Sequence, residues 1–167
     1  MPDSIELLNK LPRAASSFFV FFSRFEFALK RTGHLKADKK RAEPDWPGFA
    51  SDLGDSFLDE VRGSGEAVAL LTRPPKKQIV ENDRLGWQDA EPINDVKKLF
   101  EAVCLVRNNL FHGGKFPEPI GFISDVSRDQ ELLVQSKRVL EMALEKNPSV
   151  KEAFCEEALQ SASVKSR

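Results

Sequence analysis

The sequence predicts an all-α fold: a single-domain, up-and-down bundle of four to six helices. In three long stretches, apolar residues recur at intervals of three and four, as on the buried face of an amphipathic helix. No stretch alternates apolar and polar residues convincingly, and no internal repeat is present. With 167 residues the chain can bury its own core. We therefore expect residues 1–160 to form one bundle and residues 161–167 a flexible tail.

The first predicted helix is rich in phenylalanine. Its apolar face contains Leu11, Ala15, Phe18, Phe22, Phe25 and Leu29. Pro12 fits the first turn, where a missing N–H costs nothing, and Thr32-Gly33-His34 is predicted to end the helix. Six phenylalanines between positions 18 and 27 are too many for one narrow stripe. We therefore expect burial on two sides, against the core and against another chain.

The middle of the chain is polar. A charged connection over residues 30–48 ends with Pro44-Asp45-Trp46-Pro47, which we expect to block a helix. One amphipathic segment then places an apolar residue at every fourth position: Phe49, Leu53, Phe57 and Val61. Residues 67–71 could be a helical turn or a strand, of which the helical turn is favoured, and residues 72–91 are predicted as a polar, irregular loop insertion. A loop of that length is typically functional or disordered.

Two more long helices are predicted in the second half. The first begins at Asn94 or Asp95, both good N-caps, and ends at Gly113-Gly114. Its core face contains Leu99, Val103, Val106 and Leu110. The last long helix starts near residue 125 or 127, and Pro148 interrupts it.

Composition limits the functional classes. The formal net charge is −1, so a nucleic-acid site would have to be a local patch rather than a global basic field. Cys104 and Cys155 do not have metal-ligand spacing, and the acidic N-terminus does not resemble a secretion signal. We expect a cytoplasmic protein with reduced, inert thiols, no membrane association and no metal or cofactor.

A polar cluster lies at the end of the helix that begins near residue 95. It consists of Arg107, Asn108, Asn109 and His112, with Lys115 after two glycines. Guanidinium binds phosphate oxygens in a fork, and imidazole transfers protons near neutral pH, so the cluster suits chemistry on a phosphodiester. Asn108 can hold a phosphate oxygen or orient the imidazole. Lys115 can steer the substrate backbone.

The spacing within the cluster favours a site made from two chains. Arg107 and His112 are five positions apart in the sequence, which is about 140° around an ideal helix. They do not share one face as residues at i and i+4 would. In a two-fold dimer, the same helix of a second chain can bring a second Arg–His pair across the interface.

A purely structural interpretation stays open beside the catalytic one. Arg107 could pair with an acid on a neighbouring helix, His112 could cap its own helix carbonyls, and Asn109 could be solvated. Glu26 lies within the phenylalanine-rich helix; if it is buried it needs a partner, which could be Arg107 or His112, and otherwise it is a residue of a solvated face. As site residues, Asn109, Lys115 and Glu26 are candidates for substrate binding, whereas Arg107, His112 and Asn108 are candidates for catalysis.

The pattern Arg-Asn-x-x-x-His at a helix end, followed by Gly-Gly, resembles the signature of the HEPN superfamily. That signature is Arg, four to six residues and then His, often with a polar residue such as Asn108 after the Arg. The wider layout is also similar, with the motif late in a helical bundle and before a last long helix. The phrase Phe25-Glu26-Phe27-Ala28-Leu29-Lys30 is similar to the opening helix of several bacterial members.

The resemblance implies a metal-independent endoribonuclease, of a kind that often serves as a toxin or defence effector and has an antitoxin partner protein. His112 would deprotonate the RNA 2′-hydroxyl or protonate the leaving oxygen. Arg107 would stabilise charge on the phosphorane, and Asn108 would polarise or position the reacting groups. Family members usually form homodimers in which both motifs line one cleft. Two alternatives stay open: a non-catalytic HEPN dimer that binds RNA, a nucleotide or a partner protein, and a structural helical adaptor.

Overall fold

The computed structural model of the chain describes residues 13–37, 40–111 and 126–164, excepting the side chains of residues 126 and 157–164. In these ranges the chain forms seven helices and two strands. The first four helices are α1 (Arg13–Arg31), α2 (Trp46–Leu53), α3 (Ser56–Ser64) and α4 (Val68–Thr72). They are followed by β1 (Lys77–Glu81), β2 (Arg84–Gln88), α5 (Val96–Phe111), α6 (Val126–Lys146) and α7 (Pro148–Val164).

The chain is mostly helical, as the sequence predicts, but it is not purely α. The expected irregular loop over residues 72–91 contains an antiparallel hairpin, in which Val80 pairs with Leu85 and Gln78 with Trp87. Asn82 and Asp83 form its turn with φ of 50° and 59°, the positive values typical of a two-residue hairpin turn. The prediction of no strand was wrong because neither side of this hairpin is fully buried, so its sequence lacks a clear apolar alternation.

Helix α1 buries one face within the chain. The predicted residues Ala15, Phe18, Phe22, Phe25 and Leu29 are all buried, whereas Leu11 and Pro12 lie outside the described residues. On the other side Phe19, Val20 and Phe27 are exposed. Burial of that second side against another chain stays a prediction.

Two helices replace the single amphipathic segment expected over residues 49–61. Gly54 separates α2 from α3 with φ of 73° and ψ of 166°, a conformation that is essentially restricted to glycine. The prolines do not block α2, because Trp46 and Pro47 form its first turn and Asp45 caps it by accepting from the Gly48 amide at 3.1 Å. Phe49, Phe57 and Val61 are buried, as the spacing predicts.

The core is one cluster shared by all the long helices. Helix α1 packs mainly against α6 and α7, α2 packs against α5, and α4 packs against α6. A group of aromatic rings joins α1, α2, α3 and α5: Phe22, Phe25, Trp46, Phe49, Phe57 and Phe100. This group fixes the relative positions of α1 and α5, which carry the candidate site.

The later helices agree with the sequence in most respects. Asp95 caps α5 by accepting from the Lys98 amide at 2.8 Å, and Pro148 separates α6 from α7. Helix α7 continues to Val164, so residues 161–164 of the expected tail are helical, and residues 165–167 lie outside the described part. The predicted helix end at Gly113-Gly114 also lies outside it. Among the helices described, none combines the length and apolar character that crossing a bilayer requires.

Candidate functional site

Arg107 lies on the side of α5 that faces α1. Its Nη2 donates to Oε1 of Glu26 at 3.0 Å, which joins the two helices across 81 positions of sequence. The side chains are 31% and 21% exposed, so the pair is partly shielded from water but open on one side. The sequence named Arg107 as one candidate partner for Glu26, and the structure brings these two residues together.

Glu26 is held by a second donor. The Trp46 Nε1 donates to the same Oε1 at 3.3 Å. The indole is itself fixed in the core, since it stacks on Phe25 at 5.5 Å and on Phe100 at 5.7 Å between ring centroids. Helices α1, α2 and α5 therefore each contribute one residue to this contact. We call Glu26, Arg107 and Trp46 the carboxylate node.

Aromatic rings surround the guanidinium of Arg107. Its Cζ lies 5.1 Å from the ring centroid of Phe22 and 5.9 Å from that of Phe111, both within the range of a cation–π interaction. Phe111 also contacts Phe19 of α1, with 4.9 Å between the centroids. The guanidinium is thus held by one charge pair and two rings, which restricts its orientation.

Cys104 lies one turn before Arg107 and packs against the core. Burial raises the pKa of its thiol to about 12; Arg107 opposes that shift and Glu26 adds to it. The thiol is therefore protonated at neutral pH, and Cys104 is not a nucleophile of this site. For Cys104 this agrees with the inert thiol expected from the sequence, whereas Cys155 is exposed and its inertness stays a prediction.

The two neighbouring asparagines have different environments. Asn109 is only 4% exposed, and its Nδ2 donates to the Lys76 carbonyl at 2.8 Å, immediately before β1. Its amide thus anchors the hairpin, and it is not solvated as the structural interpretation supposed. Asn108 is partly exposed. It follows Arg107 on the same turn of α5.

Two candidate residues, His112 and Lys115, lie outside the described residues. The structure therefore brings together Arg107 and Glu26 and bonds Asn109 to the Lys76 carbonyl instead. The roles of His112 and Lys115 stay predictions. Trp46, Phe19 and Phe111 join the site although they are not among the site residues that the sequence predicts. Phe111 could have been found, because it stands directly before His112; the other two come from distant segments.

The second histidine belongs to a different part of the fold. The His34 Nε2 lies 2.9 Å from the Asp52 Oδ2, and the His34 Nδ1 lies 3.2 Å from the Thr32 hydroxyl. Its ring also contacts Phe49 edge-on at 5.3 Å. His34 thereby connects the end of α1 to α2.

Comparisons with known proteins do not assign the chain to a family. No family model matches the chain, and neither the curated proteins nor the solved structures include a match to it.

Proposed function

We propose that this protein is a metal-independent endoribonuclease of the HEPN type. It cleaves single-stranded RNA through the 2′-hydroxyl and leaves a 2′,3′-cyclic phosphate and a 5′-hydroxyl. We infer that it works in the cytoplasm as a homodimer with an up-and-down bundle in each subunit, as a toxin or defence effector controlled by an antitoxin protein.

The observation that carries this proposal is the placement of Arg107. Its contact with Glu26 uses one N–H of a guanidinium that has five. The side chain is 31% exposed, so the remaining donors include ones that a phosphate can reach from solvent. Glu26 and the neighbouring rings hold the Arg107 guanidinium in one orientation before substrate arrives. This lowers the entropy cost of binding a phosphate.

The proposed reaction assigns one step to each residue. His112 accepts the proton of the 2′-hydroxyl as the 2′-oxygen attacks phosphorus. Arg107 stabilises the negative charge that develops on the phosphorane oxygens. The bond from phosphorus to the 5′-oxygen then breaks, and the protonated His112 returns the proton to that oxygen. Asn108 positions a phosphate oxygen, and Lys115 steers the RNA backbone.

The remaining candidates have supporting roles in this mechanism. Glu26 positions Arg107 rather than binding RNA directly, because it accepts from Arg107 and Trp46 and its negative charge repels the phosphates of RNA. Asn109 holds the hairpin through the Lys76 carbonyl, and its buried amide leaves it no direct contact with substrate.

The test is RNA cleavage in a buffer that contains a chelator. Wild-type protein should cut single-stranded RNA and leave cyclic phosphate ends, detected by mass spectrometry of the products. Arg107→Ala and His112→Ala should each lower the rate by at least about 100-fold. Lys137→Ala, which removes a charge from α6 outside the carboxylate node, serves as the control and should retain the wild-type rate. Cleavage that survives both motif substitutions would overturn the proposal.

One observation favours the non-catalytic alternative, a HEPN dimer that binds RNA, a nucleotide or a partner protein. Glu26 neutralises Arg107 in the free protein, and the outer side of α1 exposes Phe19, Val20 and Phe27 as an apolar surface. Such a module would bind RNA or a partner without producing cyclic phosphate ends. Binding that persists in His112→Ala, together with no cleavage by the wild-type protein, would select this alternative.

A further inference from the structure

Two phenylalanine rings are exposed next to the carboxylate node. Phe19 of α1 is 40% exposed and Phe111 of α5 is 53% exposed. Their centroids are 4.9 Å apart, and the planes are tilted by 57°. We call Phe19 and Phe111 the ring pair. It lies outside the core cluster, which includes Phe18, Phe22 and Phe25, so the packing of the described core does not account for it.

The ring pair is connected to both residues of the Arg–His motif. The Arg107 Cζ lies 5.9 Å from the centroid of Phe111, and Phe111 is the residue immediately before His112. A planar group stacked on Phe111 would therefore lie beside the guanidinium. A nucleotide whose base is stacked there has its own phosphodiester within reach of that cation.

We propose that the ring pair is a stacking platform for a nucleobase of single-stranded RNA. This inference rests on the proposed function, since it places the base that adjoins the scissile phosphate. Aromatic rings stack on any base because every base has a π-face. Bases of single-stranded RNA are free to unstack from their neighbours and adopt such a position.

The charge around the exposed rings favours RNA over an apolar protein partner. Arg107 lies against Phe111 of the ring pair, with its Cζ 5.9 Å from the ring centroid, and its contact with Glu26 uses one of the five guanidinium N–H groups. Cations interleaved with rings suit a ligand that alternates phosphates and bases. An apolar partner would have to desolvate the Arg107 guanidinium without providing phosphate in return.

The experiment measures binding separately from cleavage. The probe is a fluorescein-labelled oligoadenylate with 2′-O-methyl groups, which has no 2′-hydroxyl to attack and so stays intact with the wild-type protein. The variants are Phe111→Leu and Phe111→Trp, and Phe27→Leu is the matched control on the same surface. A probe of the same length with abasic residues reports the contribution of the backbone alone. Thermal unfolding and sedimentation of each variant verify its fold and its assembly.

We expect Phe111→Leu to weaken binding by at least about 5-fold, because a base loses its stacking partner. Phe111→Trp should bind at least as tightly as the wild type, and Phe27→Leu should change affinity by less than about 2-fold. The abasic probe should bind weakly, with equal affinity for the wild type and Phe111→Leu.

Several results would overturn the platform. One is an equal loss of RNA affinity in Phe111→Leu and Phe27→Leu. The others are equal affinity for the abasic and oligoadenylate probes, and no binding of RNA by the wild-type protein. Loss of self-association in Phe111→Leu with unchanged RNA affinity would show instead that the rings form an interface between copies. Phe111-dependent RNA binding without cleavage of ordinary RNA would overturn the ribonuclease and support the platform. Cleavage together with Phe111-independent binding would overturn the platform alone.

Discussion

At the residue scale, Arg107 in the carboxylate node differs in two ways from an arginine on an open surface. The guanidinium is partly removed from water, and its negative partner is also bound by Trp46. A partly buried charge pair of this kind is costly to break on one side, because the remaining charge loses its partner. Substitutions of Glu26 and Arg107 should therefore have non-additive effects on the free energy of unfolding, whether or not the site is catalytic.

A double-mutant cycle tests this coupling. Glu26→Ala, Arg107→Ala and the double variant should give a coupling energy of about 1–2 kcal/mol in urea unfolding. Arg31 and Glu156 form the control pair: their contact is also 3.0 Å, but the side chains are 55% and 46% exposed. That pair should couple by about 0.5 kcal/mol or less. Equal coupling in both pairs would contradict the shielding inferred for the carboxylate node.

The two cysteines should differ in reactivity. Burial raises the pKa of Cys104 to about 12, so the reactive thiolate is rare at neutral pH, whereas Cys155 is exposed. Iodoacetamide at pH 8 should modify Cys155 first in the native protein, and both cysteines in urea, as read by peptide mass spectrometry. Because the folded pKa is raised, the contribution of Cys104 to stability should be complete below pH 9 and decline towards pH 12. Cys104→Ser should flatten that decline. Modification of both thiols at equal rates in the native state would contradict the assignment.

At the element scale, the hairpin depends on contacts outside itself. Two strands alone are marginally stable in water. Here the Lys76 carbonyl accepts from the buried Asn109, and the Lys76 ammonium lies 2.8 Å from Asp89, which directly follows β2 at the same open end of the hairpin. On the other side, the Arg128 guanidinium donates to the Pro74 carbonyl at 2.8 Å. Helices α5 and α6 thus hold the base of the hairpin.

Asn109→Ala should loosen the hairpin. Removal of the amide leaves a carbonyl without its donor, at a cost of about 1–3 kcal/mol. Amides of β1 and β2 should exchange hydrogen faster, and the urea midpoint should fall. Asn108→Ala is the matched control. It should lower the free energy of unfolding by about 0.5 kcal/mol or less and leave amide hydrogen exchange in the hairpin unchanged. If Asn108→Ala lowers RNA cleavage and Asn109→Ala changes only stability, the adjacent asparagines have the separate roles proposed above. Unchanged exchange in Asn109→Ala would contradict the anchoring.

At the scale of the whole molecule, the candidate site depends on the shared core. Trp46 stacks on Phe25 and Phe100, and Phe100 in turn stacks on Phe57 at 6.0 Å. The residues that orient Glu26 therefore belong to the same cluster that holds α1, α2, α3 and α5 together. The second half of the proposed site would come from another copy of the chain.

Mixing of inactive variants tests that two-chain site. Arg107→Ala and His112→Ala homodimers should each be inactive, because every site lacks one group. After subunit exchange, half of the dimers combine the two variants, and each of these has one intact site if Arg107 and His112 act across the interface. Activity should return to about a quarter of the wild-type level. Sedimentation verifies that dimers are present. No recovery after exchange would show that each site lies within one chain.

The extent to which the sequence predicts this structure differs between elements. Apolar spacing correctly predicts the buried faces of α1 and α5, because a helix repeats its surface every three to four residues. Gly54 was not recognised as a break, since a glycine within an apolar pattern is often tolerated in a helix. The hairpin was missed because its strands lie at the surface and do not need apolar alternation.

By itself, the sequence determined a mostly helical chain and the core faces of its long helices, and it singled out Arg107 as a candidate site residue, which stays a prediction. Those features are local, since they depend on side chains three or four positions apart. Only the tertiary structure decided that Glu26 and Trp46 hold Arg107, that Asn109 anchors a hairpin, and that Phe19 meets Phe111. Each of these contacts joins segments far apart in the chain, and packing of the shared core sets their distance.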